Sequence, residues 1–275
     1  MSNIPEPVEY IDGFRCYAPH FAKEGDGFDA NAFGTLYKVE DNYFWFKERN
    51  KIIYWAISKY FKVAKTFLEV GCGTGYVSSF LSQKFPNLKI FGSEIFVQGL
   101  KQANLRMDKD YLFQMDARDI PFKNYFDVIG MFDVLEHIEE DSLVLSQLYK
   151  AIKANGGIII TVPQHPFLWS KSDDYACHKR RYTKNELLHK IREAGFNVLF
   201  SSSFITFLMP ILFLSRWLER YKKDFDPTAA FNIPPFINYI FAKTIQFEQF
   251  LMKKNISLPL GGSLLVVACK NPNHT

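Results

Sequence analysis

Between residues 66 and 160, short runs of β-branched and aromatic residues alternate with stretches of helical periodicity, and this alternation limits the fold more than any other feature. Parallel strands are joined only by a crossover of a dozen or more residues, usually a helix, so the alternation demands a parallel sheet with helices on its faces. Strands are expected over residues 66–70, 89–93, 111–115, 126–132 and 157–162. Between the first two, Val77, Phe80, Leu81 and Lys84 recur at i, i+3 and i+4, and all but the last are apolar, which predicts a helix packed by one face on the sheet. A further helix is predicted over 141–153, where Leu145, Leu148 and Ile152 share a face and Asn155, Gly156 and Gly157 supply the stop.

Farther on, Thr183 and Glu186 have the spacing of a capping box, in which each side chain satisfies an orphan backbone N–H. The helix it opens has Leu187, Leu188, Ile191 and Ala194 as its buried stripe and Gly195 as its end, and strands are expected over 197–204 and 263–270. The stretch between those strands, rich in Phe, Pro and basic residues, fits neither alternation nor a linker and is expected to be a helical insertion. The expected organisation is therefore an N-terminal segment and helical lid over 1–62 and a core over 63–204. A helical insertion or cap over 205–260 and a last core strand with tail over 261–275 complete it.

Hydrophobic residues make up 48% of the 275 and charged residues 23%, enough apolar material for a sizeable core. The 28 Phe are more flat apolar surface than such a core needs, and part of it is expected to line a pocket. A net charge of +4 is small for a protein that neutralises phosphates, which argues against nucleic acid as a partner. Cys16, Cys72, Cys177 and Cys269 are far apart and form no CxxC, so neither a zinc knuckle nor a disulfide framework is expected, and a reducing cytoplasm is the natural location. Residues 1–10 lack the basic start and apolar run of a signal peptide. The longest apolar run, 204–214, is broken by Thr206 and Pro210 and falls short of the ~20 residues that span a bilayer.

The chemistry is concentrated after the first expected strand. Gly71-Cys72-Gly73-Thr74-Gly75 follows a strand and opens a helix, so its glycines allow a tight turn and a close approach of backbone to a ligand. The spacing is GxGxG, whereas a dinucleotide loop has its third glycine displaced and leaves the helix N-terminus open to pyrophosphate. Here Glu69 precedes the loop, and a carboxylate there repels phosphate and attracts an amine. Glu94, at the end of the second strand and about 20 residues beyond the loop, stands where a carboxylate accepts hydrogen bonds from ribose hydroxyls. Together they point to an adenosine ligand that carries positive charge.

The loop, Glu94, Asp116-Ala117 after the third strand and Phe132-Asp133 after the fourth resemble class I S-adenosylmethionine-dependent methyltransferases over roughly residues 43–270. Two further stretches, 42–50 and 178–183, are similar to the type 11 and 12 groups of that family. The resemblance implies an α/β fold, a doubly wound Rossmann-like sheet of seven strands in the order 3-2-1-4-5-7-6. It assigns Glu69, Gly71, Cys72, Gly73 and Gly75 to the methionine part of S-adenosyl-L-methionine and Glu94 to its ribose. Ile95, Asp116 and Ala117 fall to the adenine, with Phe132 and Asp133 also against the cofactor.

Open α/β sheets bind ligands beyond the C-terminal ends of their strands, so Asp133, His137 and His165 are the candidate catalytic groups, with Glu136 beside them. If 133–137 is helical, Asp133, Glu136 and His137 share one face, as in metal-assisted quinone-precursor O-methyltransferases, but no metal is expected. Trp45 and Arg49 are candidate lid residues over the acceptor, and Arg180, Arg181 and Tyr182, in a basic stretch from 178 to 192, are candidates to grip its phosphate or carboxylate. Apolar residues from Phe207 to Trp217, followed by Arg220, Lys222 and Lys223, describe either a cap or a peripheral membrane contact through 205–223. The expected acceptor is a small molecule, sugar or lipid-linked group methylated at oxygen. An RNA methyltransferase, a nicotinamide oxidoreductase and a non-catalytic binding module are the alternatives.

Overall fold

Each strand of the central sheet shows its successive side chains to opposite faces, and the two apolar layers that result account for the architecture of the computed structural model. The structure describes residues 4–23, 32–219, 221, 226 and 228–271. Its strands are β1 (Glu9–Ile11), β2 (Phe14–Cys16), β3 (Thr66–Val70), β4 (Lys89–Glu94), β5 (Leu112–Gln114), β6 (Phe126–Phe132), β7 (Ile152–Pro163), β8 (Phe196–Phe204) and β9 (Ser263–Lys270). They form one sheet in the order β1-β2-β5-β4-β3-β6-β7-β9-β8. Strands β2 to β7 are parallel neighbours, and β9 runs antiparallel between β7 and β8. From β5 to β8 the order is the 3-2-1-4-5-7-6 that the resemblance implies.

The sheet has nine strands rather than seven. The additional hairpin, β1 with β2, pairs Ile11 with Phe14 around Asp12 and Gly13, both at positive φ (52° and 74°). Such a two-residue turn matches strand twist, and Asp-Gly is its usual sequence.

Helices cover both faces. On one, α5 (Asp141–Ala151) and α7 (Lys184–Glu193) pack Leu145, Leu148, Leu187 and Ile191 against Leu68, Ile129 and Val266. On the other, α2 (Phe44–Tyr60), α3 (Tyr76–Lys84) and α9 (Pro235–Lys253) pack Ile52, Leu81 and Met252 with Phe67, Val128 and Val267. The remaining helices are α1 (Ala32–Val39), α4 (Val97–Ala103), α6 (Lys171–Tyr175) and α8 (Met209–Glu219). The capping box of α7 forms with both of its hydrogen bonds, Glu186 N–H to Thr183 Oγ1 at 3.3 Å and Thr183 N–H to a Glu186 oxygen at 3.5 Å.

The helix predicted over 141–153 stops at Ala151, because Ile152 already pairs with Phe126 as the start of β7. Gly156 and Gly157 lie inside that strand and do not stop a helix. A Cβ on Gly157 would stand 2.3 Å from the carbonyl oxygen of Ala268, so a glycine is required by the approach of β9. Among the described residues no helix is long and apolar enough to cross a membrane. Arg220, Lys222 and Lys223 lie outside the described residues.

Candidate active site

The order of the parallel strands reverses between β3 and β6, and a cavity of ≈ 1190 Å³ opens beyond the C-terminal ends of β3 to β7 at that point. Its volume exceeds the ~300–1,000 Å³ of an ordinary ligand pocket, which leaves room for two molecules side by side.

The loop after β3 forms the first wall. Gly71 and Gly73 line the cavity at φ values of 71° and 51°, in the left-handed region that side chains disfavour. The Gly73 N–H donates to Glu94 Oε2 at 3.0 Å, while Glu94 Oε1 accepts from the N–H groups of Ile95 and Phe96 at 2.8 and 3.4 Å. Glu94 and Glu69 are both buried. Burial raises the Glu94 pKa against those amide hydrogen bonds. Burial pushes Glu69 up to about 8, opposed by a hydrogen bond from Ser78 and the nearby charge of Arg49. A ligand bringing positive charge to this wall would relieve that desolvation. Ile95, Asp116, Ala117, Phe132 and Cys72 line the same part of the cavity, with Asp116 held by Arg118 at 2.9 Å.

The second wall comes from α2, α8, α9 and the segment after β7. Arg49 of α2 crosses the cavity to Asp133 at 2.6 Å and stacks over the Trp45 ring at 4.4 Å. Ile205, Leu208, Ile211 and Leu212, with Ile237 and Phe241 of α9, give this wall a large apolar part, beside Arg216 and Glu219 of α8, which pair with each other at 3.1 Å. On its polar side His178 Nδ1 lies 2.8 Å from Asp173 Oδ1, and His178 Nε2 lies 3.8 Å from Glu136 Oε1. Burial raises the Asp173 carboxyl, but hydrogen bonds from His178 and Arg181 outweigh it and hold the group at about 2. Glu136 is fully buried and neither of its carboxylate oxygens has a hydrogen-bond partner among the described residues. Burial and the neighbouring Asp133 carboxylate push its pKa well above the usual range.

A methyltransferase domain model matches residues 40–200, more than half of the chain. The chain belongs to the methyltransferase domain family. It is 29% identical over 110 residues to the mitochondrial ubiquinone biosynthesis O-methyltransferase of Candida albicans, a match that covers 38% of this chain and 34% of that protein. The matches to curated relatives span between 34% and 62% of those proteins' lengths. Among solved structures, a chain in a complex of the Haloferax volcanii Trm112 methyltransferase activator with a methyltransferase aligns with TM-score 0.56 at 17% identity, covering 90% of this chain and 96% of that one. Phosphoethanolamine N-methyltransferase 2 of Haemonchus contortus, solved with S-adenosyl-L-methionine, aligns with TM-score 0.53 at 17% identity, covering 82% of this chain and 53% of that one. These structural likenesses concern the fold.

For a methyltransferase domain, S-adenosylmethionine is the cofactor, and the first wall fits it. The two buried carboxylates suit an amine and ribose hydroxyls, and the left-handed glycines bring bare backbone to the cavity. Glu94→Ala is expected to weaken S-adenosylmethionine binding by about 1–3 kcal/mol through the lost charged hydrogen bonds, measured by calorimetry. Unchanged affinity would remove Glu94 from the ribose role.

Several expected site residues stand elsewhere in this domain. Gly75 does not line the cavity; a Cβ there would meet Ala103 at 3.0 Å, so its role is to let the start of α3 approach α4. His165 also lies outside, beyond the end of β7, with its ring stacked on Phe167 at 5.0 Å. Asp133 has φ 56° and is followed by a 3-10 turn at Leu135–His137, so it does not share a helical face with Glu136 and His137. Its carboxylate is paired with Arg49. The group that does converge is Glu136, His137 and His178, with ligand-type atoms within 4.8 Å of one another. His137 lines the cavity, but burial and the adjacent His178 push it down to about 3, too weak a base for neutral pH.

The basic stretch is spent on structure. Arg180 pairs with Asp141 at 2.8 Å and Glu139 at 2.9 Å, and Arg181 reaches the cavity only to bind Asp173 at 2.7 Å. Tyr182 is fully buried outside the cavity and donates to Asp141 at 2.8 Å. Tyr182→Phe should therefore lower stability by about 1–3 kcal/mol in denaturant melts and leave cofactor affinity unchanged. A loss of activity at unchanged stability would return Tyr182 to the acceptor side. The residues missed by sequence reasoning are Asp173, within the short helix α6, and His178, just beyond its end, a five-residue separation that matches no standard motif.

Proposed function

We propose that this methyltransferase domain moves the methyl group of S-adenosylmethionine to a hydroxyl oxygen of a hydrophobic small molecule, lipid-linked acceptors included. The observation that carries the reading is His178, which lines the cavity and is held from behind by the buried Asp173. Its apolar surroundings suit a hydrophobic body, and its imidazole suits a hydroxyl that must lose a proton.

S-adenosylmethionine supplies a methyl group already activated by a sulfonium, so the protein has only to position and deprotonate the acceptor. Asp173 accepts from His178 Nδ1, which leaves Nε2 as the proton acceptor. As the oxygen–methyl bond forms and the sulfur–methyl bond breaks, His178 Nε2 takes the hydroxyl proton, and the Asp173 carboxylate stabilises the imidazolium. Asp173 is itself fixed by Arg181 and by the Ser170 N–H at 2.9 Å, so the imidazole is held in one orientation. In this reading the described residues of the 1–62 lid and of the 205–260 cap enclose the acceptor around the 63–204 core, and β9, in the 261–275 segment, fills the place between β7 and β8. Wall residues from α2, α8 and α9 support it.

Peripheral membrane contact through 205–223 belongs to the same reading, because α8 turns Phe213, Leu214 and Trp217 outward. All four cysteines are free thiols, which supports a reducing cytoplasm. The test is transfer of labelled methyl from S-adenosylmethionine to a panel of hydrophobic phenols and long-chain alcohols, with matched amines alongside. Label on oxygen is expected; label on nitrogen alone would overturn the choice of acceptor atom.

A further inference from the structure

The helix α9 packs Ile245 and Met252 into the core, yet it also carries an exposed aromatic stripe. Phe236, Tyr239, Ile240, Lys243, Phe247 and Phe250 all lie within about 60° of one direction at 3.6 residues per turn, and all are exposed, Phe236 at 71% and both Phe247 and Phe250 at 53%. Its opposite face turns Glu248 and Gln249 inward. Gln249 and Gln246 donate to the buried Glu48 of α2 at 2.9 Å each, and Glu248 accepts from the Phe207 N–H at 2.8 Å. Ile245 and Met252 with these polar groups thus anchor the helix to the protein, while a second set of aromatic rings faces away from it. A surface helix of a globular protein ordinarily presents polar residues on that outer face.

Just before α8, Phe207 meets Phe247 of α9 at 5.7 Å, and α8 itself exposes Ile211, Phe213, Leu214, Trp217 and Leu218, apolar surface of the kind that marks an interaction site. The charge on this surface has one sign. Lys243 and Lys253 of α9 are exposed, as is Lys254 just beyond it, while the acids of the two helices, Glu219 and Glu248, are both buried. Lys243 and Lys254 lie over the rings of Tyr239 and Phe250 at 5.3 and 5.8 Å. Aromatic rings level with lysines, on helices whose own two carboxylates are buried, suit the interface of an anionic bilayer, where rings enter the acyl boundary and ammonium groups meet the headgroups. The cavity reaches the same surface, since Ile211 lines it and is 53% exposed.

We propose that the outward faces of α8 and α9 dock on an anionic lipid membrane and that a hydrophobic acceptor passes from it into the cavity beside Ile211. The entry route rests on the acceptor reading above, whereas the docking does not. Flotation of the full chain with phosphatidylcholine vesicles, with and without phosphatidylglycerol, tests it. The protein is expected to float with the anionic vesicles at low salt and to lose most of that association at high salt. Phe236→Ser with Phe247→Ser and Phe250→Ser should cut the partition at least about tenfold. Lys243→Glu and Lys254→Glu should each cut it by at least about fivefold on anionic vesicles. All of these side chains are exposed, so unchanged melting temperature and S-adenosylmethionine affinity are expected of every variant. Failure of the unaltered protein to float with either vesicle, or flotation of the triple Ser variant like the unaltered protein, would overturn the docking. So would light scattering that shows a dimer which the triple Ser variant dissolves, because a second copy would then cover this face. Intact flotation with label only on soluble amines would retain the docking surface and overturn the entry route together with the hydroxyl reading.

Discussion

Replacing Gly73 with valine is expected to leave a folded protein that no longer binds S-adenosylmethionine. Gly73 has φ 51°, and a Cβ there would make only ordinary contact with Phe33 at 3.5 Å, so no clash with the protein opposes the change. The obstacle is the backbone. Holding an L-residue in the left-handed region costs roughly 1–2 kcal/mol, and branching at Cβ adds to it. That is small against a domain stability of ~5–15 kcal/mol, so the fold survives while the loop moves to a conformation valine accepts. The movement withdraws the N–H that Glu94 holds at 3.0 Å and places a branched side chain on the cavity wall. Equilibrium dialysis with labelled cofactor, alongside circular dichroism, measures both halves of the expectation. Near-normal affinity in a folded variant would remove the glycine loop from the cofactor site.

His178→Ala is expected to lower the turnover rate by ~10²–10⁴ while S-adenosylmethionine affinity stays as it was, the effect of removing a positioned general base. The imidazole lines the cavity and faces Asp173 and Glu136 rather than the glycine loop. Asp173→Asn should also slow turnover, because an amide no longer fixes the tautomer, but it strips Arg181 of its buried carboxylate partner as well. Leaving such a charge unpaired costs about 3–5 kcal/mol, so this variant should melt earlier, whereas His178→Ala should not. Single-turnover kinetics on the most reactive acceptor separates the two. Full activity in His178→Ala would show that the acceptor needs no base from this residue.

The sheet was legible because its central strands are bounded runs of apolar residues that can only be buried. β3, β6 and β9 begin and end where the runs do. The end of α5 was not, since Ile152 continues a 3.6-residue period and equally suits a strand; its pairing with Phe126 decides the matter. The hairpin before the core was within reach, as Asp12-Gly13 is a strong turn signal, but strands of three residues leave too short a pattern to weigh.

That Glu69 and Glu94 stand on one wall of the cavity was legible because loop and strand ends fix where they lie. The Arg180–Tyr182 stretch was misread because charge along a sequence does not reveal its partners: Asp141 lies some 40 residues away and takes up Arg180, Tyr182 and Lys190 together. His178 escaped notice because its geometry depends on how α6 delivers Asp173. Periodicity likewise could not say that the aromatic stripe of α9 faces outward; that follows from Gln246 and Gln249 finding Glu48.

Calorimetric titration of the purified chain with S-adenosylmethionine, with S-adenosylhomocysteine and NADH as comparison ligands, tests the central claim most directly. The buried carboxylates and the GxGxG loop predict micromolar binding of the first two and none of NADH, whose pyrophosphate would face Glu69. Binding of NADH, or of none of the three, would contradict the assignment of this cavity to S-adenosylmethionine.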